Sequence, residues 1–245
     1  MERKPTYRRH VRNDGGWAMR ALGIDPVHDT RQTFRTLCAV LSRPGTIEQL
    51  GVTPADHAVV ATLVDHELKA QIEDEELRDA LDARGRYENA DAHEADIIHT
   101  QGVPSWDIRD VPRGTLLEPS DGATVIYRVE TLTASTPSSD PAIEPNNDIT
   151  QDTVADDTSI AVVTIDGPGV PAETDRTVAL GLPPDELDRI ATAQSADPRG
   201  VDVIMTTAES MLAIPRSASI SRAAVEHAHS TMTDESAHEY ESEAH

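Results

Sequence analysis

The sequence predicts an α/β sandwich built on a mixed β-sheet. Two observations carry this. Stretches with apolar residues at helical spacing interleave with short apolar runs, the order that gives helices packed on a sheet. One pair of runs, residues 202–214 (DVIMTTAESMLAI), reads as a β-hairpin turning near Ala208-Glu209-Ser210. The sheet therefore holds antiparallel as well as parallel pairs.

The elements follow in order. Asp29 followed by Gln32 resembles a capping box and predicts a helix start. Phe34, Leu37, Cys38 and Leu41 then fall at helical spacing as one apolar stripe, which makes Cys38 a small buried hydrophobe. Pro44-Gly45 stops that helix. Thr53 is the expected cap of a second helix, with Pro54 at its first position and Val59 and Leu63 turned inward. Asp74 caps a third helix that runs through Arg84 and shows Leu77 and Leu81. A fourth covers 183–195, with Leu187 and Ile190 at helical spacing. Strands are expected at 67–72, 96–99, 123–132, 159–165 and 201–207, with 211–214 after the turn. Ala123–Leu132 alternates Val125, Tyr127 and Val129 against Thr124, Arg128 and Glu130, so one face is expected to be half exposed. Ile160–Ile165 and Val201–Met205 are more continuously apolar, as central strands are.

Three segments stand outside this pattern. Residues 1–24 carry Arg3, Lys4, Arg8, Arg9 and Arg12 with little apolar periodicity. Arg8-Arg9 raises the question of export, but no apolar stretch follows over 13–24, so the expectation is a basic tail on a cytoplasmic protein. Residues 134–158 hold three Pro, six acids and no base, and read as a disordered acidic insertion. Residues 223–245 again hold six acids and no Lys or Arg; their four His suggest either a metal tract or a solvated tail. The remainder, 25–222 with its insertion, is expected to be one domain, large enough for a real core.

Charge narrows the function. Of 245 residues, 44 are acidic and 21 basic, for a net charge of −23. Such a chain makes no general phosphate footprint on nucleic acid and does not lie on an anionic membrane. No apolar run reaches the ~18 residues of a membrane-spanning helix. Cys38 is the single cysteine, which excludes an intramolecular disulfide and a multi-cysteine metal site within the chain. The bases are nineteen Arg and two Lys, Lys4 and Lys69. Acid excess with so little Lys is expected of a salt-loving cytoplasm, where high salt screens carboxylate repulsion. An acidic interaction protein with disordered tails is the alternative.

No strong catalytic motif is present: no phosphate loop, no dinucleotide-binding glycine fingerprint, no nucleophile elbow and no His-Glu-x-x-His. Weaker candidates remain. Gly167-Pro168-Gly169 follows a strand, either to let a ligand approach the backbone or to make a tight turn. Arg43, before Pro44-Gly45, either receives an anion or complements a helix C-terminus. His99-Thr100 closes a strand, with His99 either a base or a structural histidine without a visible orienting partner. Asp202, inside an apolar strand, either faces the open side of the sheet or is paired.

Six segments, in order along the chain, carry a family resemblance: Asp29–Ile47 (DTRQTFRTLCAVLSRPGTI), Thr62–Glu67 (TLVDHE), His99-Thr100 with Pro104, Gly122–Leu132 (GATVIYRVETL), Asp166–Val170 (DGPGV), and Gly200–Thr206 (GVDVIMT) with Leu212–Arg216 (LAIPR). Together they resemble the phosphonate C–P lyase system protein PhnH family. Ile98 stands where that family has an aromatic, and Lys69-Ala70-Gln71 where it usually has Pro-Val-Trp. The resemblance implies a three-layer α/β/α sandwich around a mixed sheet, similar to the pyridoxal-phosphate-dependent transferases but without their cofactor. It implies a subunit that joins the G, I and J subunits of a core complex, with the ATPase-like K and L proteins as further partners, and forms a homodimer alone. It also implies a part in making ribose-1-phosphonate 5-triphosphate from MgATP and an alkylphosphonate. It assigns no catalytic, cofactor-binding or metal residue. The motif positions expected to have a structural or interface role are Phe34, Arg43, Pro44, Gly45, His99, Thr100, Gly167, Gly169, Asp202, Pro215 and Arg216. Two other readings stay open: a stand-alone pyridoxal-phosphate-dependent transferase using Lys69, and a nucleotide- or phosphonate-binding module with its ligand near Arg43, His99 and Arg216. The expected interface is the helix Thr30–Arg43, with Arg31 and Arg35, together with the Pro215-Arg216 end.

Overall fold

The computed structural model describes residues 22–85, 88–135, 160–170 and 176–222. Residues 1–21, almost all of the acidic insertion and the histidine-bearing tail lie outside the described residues. The last residues of the expected basic tail belong to the domain instead, since Ile24 is buried beside Ala61 with Leu22 against them. Four α-helices occur among the described residues: α1 (His28–Ser42), α2 (Ala55–Leu63), α3 (Glu75–Arg84) and α4 (Pro184–Gln194). The strands are β1 (Glu48–Gln49), β2 (Lys69–Ile72), β3 (Glu88–Asn89), β4 (Ile97–Gln101), β5 (Thr124–Arg128), β6 (Leu132–Ala134), β7 (Ala161–Asp166), β8 (Arg176–Leu180), β9 (Asp202–Thr206), β10 (Ser210–Ile214) and β11 (Ser219–Arg222).

Seven strands form a mixed sheet in the order β1-β10-β9-β5-β4-β2-β3. The segment β9-β5-β4-β2-β3 is parallel, and β10 returns antiparallel to β9 through the expected hairpin. Thr207 closes the hairpin turn, its N–H donating to the Ser210 carbonyl at 3.0 Å. The other four strands form a second, antiparallel sheet, β11-β7-β8-β6. A sheet's side chains alternate between its faces, and here the two faces have different partners. Ala70, Ile72, Ile97, Ile126, Ile204 and Ala213 pack with Leu37 and Val40 of α1, Val59 of α2, and Leu77 and Leu81 of α3. Ile98, Val125, Tyr127, Val203, Met205 and Leu212 pack with Val163, Ile165, Val178 and Leu180 of the small sheet and with Leu187 and Ile190 of α4. The expected single sheet between two helical layers is thus modified: one covering layer combines a helix with a second sheet.

The strand expectations exchange roles. β5 sits at the centre of the large sheet, and Val125, Ile126 and Tyr127 are all buried. The polar residues that suggested a half-exposed face lie at its ends, and the chain leaves the sheet after Arg128 so that Leu132–Ala134 can join the small one. β7, read as a central strand, is an interior strand of the small sheet, between β11 and β8, and leaves Val162 and the preceding Ile160 exposed.

Helix starts also differ from the sequence reading. α1 is capped four residues earlier than Asp29. Asp25 Oδ1 accepts from the N–H groups of Val27 and His28, and Asp29 Oδ2 reaches back to the Asp25 N–H at 2.7 Å, a reciprocal box one position longer than usual. α1 docks through Thr33, Leu37 and Val40, so the expected stripe splits. Leu37 is buried, whereas Phe34, Leu41 and Cys38 are exposed. No side chain caps α2; instead of Thr53, the carbonyl of Ala208 accepts the Ala55 N–H at 2.9 Å. α3 is as expected: Asp74 accepts from the Leu77 N–H at 2.8 Å, and Gly85 closes the helix in the left-handed conformation that glycine adopts without strain.

Candidate functional site

The parallel strands point their C-terminal ends to one edge, where ligands bind in open α/β sheets. β4 and β5 are adjacent there, with His99 level with Ile126 and Gln101 level with Arg128. The pleat sends His99 and Arg128 to the face covered by α2. The first turn of α2 brings Asp56 and His57 to the same place. Asp56 is fully buried, and its Oδ2 lies 3.0 Å from Nε2 of the equally buried His99. Arg128 Nη1 reaches the two carboxylate oxygens of Asp56 at 3.3 and 3.5 Å. On its other side, His57 Nε2 is 4.0 Å from Asp56 and 3.5 Å from Asp74. Glu73, just after β2, accepts from the Thr100 hydroxyl at 2.8 Å and the Gln101 N–H at 2.7 Å.

Burial pushes the Asp56 carboxyl up. The hydrogen bond from His99 and the charges of His99, His57 and Arg128 outweigh it, and the net shift is below the ordinary value of 3.8. Asp74 shifts the same way: burial raises it, and the Leu77 N–H and His57 hold it down. An ionised Asp56 can only accept, so His99 Nε2 carries the proton of their hydrogen bond. That leaves Nδ1 buried and without a hydrogen-bond partner in the structure, as are both ring nitrogens of His57.

Beside this cluster opens a cavity of about 550 Å³, lined by Gln101, Gly102, Val103, Arg128, Val129, Glu130, Gly181, Pro183 and Ala208. Arg128 joins the two: it touches Asp56 below and lines the cavity above. His99 is not in the lining, so the chemistry offered to the cavity is that of a held guanidinium, a carboxylate and amides rather than an imidazole base. Among the described residues, no group of three or more His, Cys, Asp or Glu side chains is placed to hold a metal ion.

The other candidates lie elsewhere. Arg43 pairs with Glu48 at 3.3 Å, and Arg216 with Asp202; neither lines the cavity, so the structure does not gather Arg43, His99 and Arg216. Asp202 is paired, as one of its two expected states required: it accepts the Arg216 backbone N–H at 2.8 Å and Nε of the guanidinium at 3.2 Å, and that guanidinium also donates to the carbonyls of Pro119 and Gly122. Pro215 precedes that anchor and is half-buried. Gly167-Pro168-Gly169 makes the tight turn, closed by the Val170 N–H on the Gly167 carbonyl at 3.1 Å. It packs against the end of α1: a Cβ on Gly169 would lie 2.7 Å from the Ser42 carbonyl oxygen and 3.0 Å from Pro44. Gly45, with φ +78°, is equally tight against Arg176. Lys69 begins β2, at the edge opposite the cavity, with Glu94 at 4.0 Å.

Sequence reasoning missed Asp56 as the partner of His99, and His57 and Arg128 as the groups beside Asp56. For Asp56 and His57 the signal was a pair of adjacent ionisable residues in a mostly apolar helix, ADHAVVATL, whose first seven residues are all buried. It also missed a second buried cluster on the opposite face of β5. There the Tyr127 hydroxyl donates to Glu186 Oε1 at 2.7 Å, and Arg189 holds the other oxygen at 2.9 Å.

A family model described as bacterial phosphonate metabolism protein (PhnH) matches residues 23–221. The chain belongs to this family. No curated protein matches it. The match spans α1 through almost all of β11 and includes the whole Asp56–His99–Arg128 cluster. The chain is thereby a phosphonate metabolism protein, and no helix among the described residues is long and apolar enough to cross a membrane.

Proposed function

We propose that this chain is a non-catalytic assembly subunit of a carbon–phosphorus lyase core complex, supporting formation of ribose-1-phosphonate 5-triphosphate from MgATP and an alkylphosphonate. The observation that carries the reading is the outer face of α1. Val27, Phe34 and Leu41 recur every seven residues and are 67%, 56% and 38% exposed. With exposed Cys38 they form an apolar stripe on a helix whose other face is already buried in the core. Exposed Arg31 and Arg35 lie four residues apart on the same helix, where like charges disfavour an isolated helix. Apolar anchors ringed by Arg are what stable interfaces use. A locally basic patch also lets a partner rich in acid approach a chain of net charge −23. The occupant of this face is another subunit of the complex: the I subunit within it, with G, J, K and L beyond, and a second copy when the chain is alone.

Further parts of the proposal are a single domain over 25–222, a layered architecture akin to the pyridoxal-phosphate-dependent transferases, and a halophilic, cytoplasmic setting. The α/β layers and the acid-rich, Lys-poor composition support them. Phe34→Asp and the pair Arg31→Glu, Arg35→Glu test the docking face. Co-purification with the other subunits is expected to fall at least about tenfold, as for interface anchors, while the circular dichroism spectrum is kept. Undiminished co-purification by folded variants would remove α1 as the interface.

A further inference from the structure

We propose that the cavity at the C-terminal edge of the parallel strands binds a small hydroxylated molecule carrying a phosphate- or phosphonate-type oxyanion, with Arg128 as the contact to the oxyanion. The distances from Arg128 Nη1 to Asp56, 3.3 and 3.5 Å, exceed the ~2.7–2.9 Å of a tight charge-assisted bond. Asp56 therefore fixes where the guanidinium lies without consuming its donors: among the described residues, only Nη1 is engaged. The side chain is 35% exposed and lines the cavity. A planar fork with donors to spare fits two oxygens of a tetrahedral oxyanion.

The rest of the lining adds acceptors and apolar surface. Gln101 gives its amide N–H to Asp74 at 2.8 Å, which leaves its oxygen for a ligand hydroxyl. Glu130 supplies a carboxylate acceptor, and Val103, Val129, Pro183 and Ala208 supply the apolar walls. A volume of about 550 Å³ lies in the range of small-molecule sites. Asp56 is a positioning residue in this scheme, since it reaches the ligand only through Arg128. The net charge of −23 repels an anion at long range. A Debye length of roughly 3 Å at 1 M salt removes that repulsion and leaves the contact at Arg128. The site does not depend on the docking face of α1, none of whose residues lines the cavity.

The test is calorimetric titration of the full chain in about 1 M potassium chloride with methylphosphonate, inorganic phosphate and ribose 5-phosphate. All three are expected to bind, ribose 5-phosphate at least about fivefold tighter than phosphate because it adds hydroxyl contacts. Arg128→Lys keeps a cation beside Asp56 but loses the fork, and is expected to weaken every probe about tenfold or more. Glu130→Gln is expected to reduce the advantage of ribose 5-phosphate while leaving inorganic phosphate as tight or tighter. Val103→Trp fills the cavity from its exposed rim, away from the Asp56 pair, and is expected to abolish binding. Should Arg128→Lys fail to fold by circular dichroism, Val103→Trp decides. The proposal is overturned if the wild-type chain binds none of the probes, or if Val103→Trp binds them with unchanged affinity. Equal binding of phosphate and ribose 5-phosphate would overturn the hydroxyl contacts assigned to Gln101 and Glu130.

Discussion

Removing the Asp56 carboxylate is the sharpest perturbation of the site. Asp56 is buried, accepts from His99 at 3.0 Å and faces Arg128 at 3.3 Å. A buried hydrogen bond to a charged group contributes about 1.5–3 kcal/mol. Loss of one partner of a buried pair costs up to about 3–5 kcal/mol. Arg128 is 35% exposed and recovers water, so its share is near that of a surface pair, below about 1 kcal/mol. His99 is fully buried and recovers nothing. The expected loss is therefore about 3 kcal/mol for Asp56→Ala and about 1–2 kcal/mol for Asp56→Asn, whose amide oxygen can still accept from His99. Urea unfolding followed by circular dichroism reads this directly: with a slope of about 1–3 kcal/mol/M, a loss of 3 kcal/mol moves the midpoint by at least about 1 M. The acid dependence has a definite sign. The folded carboxyl titrates below its ordinary value of 3.8, so its contribution is complete above that value and is lost as pH falls through the lower folded value. The gap between wild type and Asp56→Asn is expected to close on acidification. A loss below about 0.5 kcal/mol for Asp56→Ala, the scale of an ordinary surface change, would refute the reasoning.

Four further outcomes are expected. Tyr127→Phe removes the buried bond to Glu186 but leaves Arg189 in place, so it costs about 1–2 kcal/mol in urea unfolding. Burial and the Glu186 charge push the Tyr127 hydroxyl well above 10, so this tyrosine gives no phenolate absorbance at pH values where free tyrosine ionises. Gly169→Ala places a Cβ 2.7 Å from a backbone oxygen at φ +87°, and is expected to lower stability by about 2 kcal/mol or more, read by thermal melting. Stability measured from about 0.1 M to 2 M potassium chloride is expected to rise steeply, because salt screens the repulsion of 44 acids against 21 bases; a flat profile would count against the halophilic reading.

What the sequence made legible was local. The cap of α3 joins residues three apart, and the hairpin is set by the few residues of its turn. Both are written in consecutive side chains, so pattern reading finds them. The site is not local: Asp56 meets His99 across 43 positions and Arg128 across 72. Nothing in the neighbourhood of His99 announces its partner, because the contact is created by parallel strands that bring distant segments to one edge. β5 was misread for a related reason. Thr124, Arg128 and Glu130 are polar, as a solvated face would be, but they lie at or beyond the ends of a central strand where the sheet meets its loops. In α1 the stripe was real but assigned to one face; the helix has two, and only packing shows that Leu37 goes in while Phe34 stays out.

The two buried polar clusters are tied to one strand, and that has consequences for the cavity. Tyr127 points to Glu186 of α4, and the next residue, Arg128, points to Asp56 of α2. A one-residue slip of β5 exchanges the faces of every side chain. It would drive the Arg128 guanidinium among Val163, Val178 and Leu180, and turn Tyr127 away from its acceptor, Glu186. Either fault leaves a buried charge or hydroxyl unpaired, which costs more than the bond itself contributes. The same register sets Arg128 level with Gln101 of β4 and Thr206 of β9. The position of the guanidinium at the cavity wall is therefore inherited from the core of the sheet and not from the loops above it. Variation in those loops can change the size of the cavity, but moving the guanidinium requires a change in β5, α2 or α4.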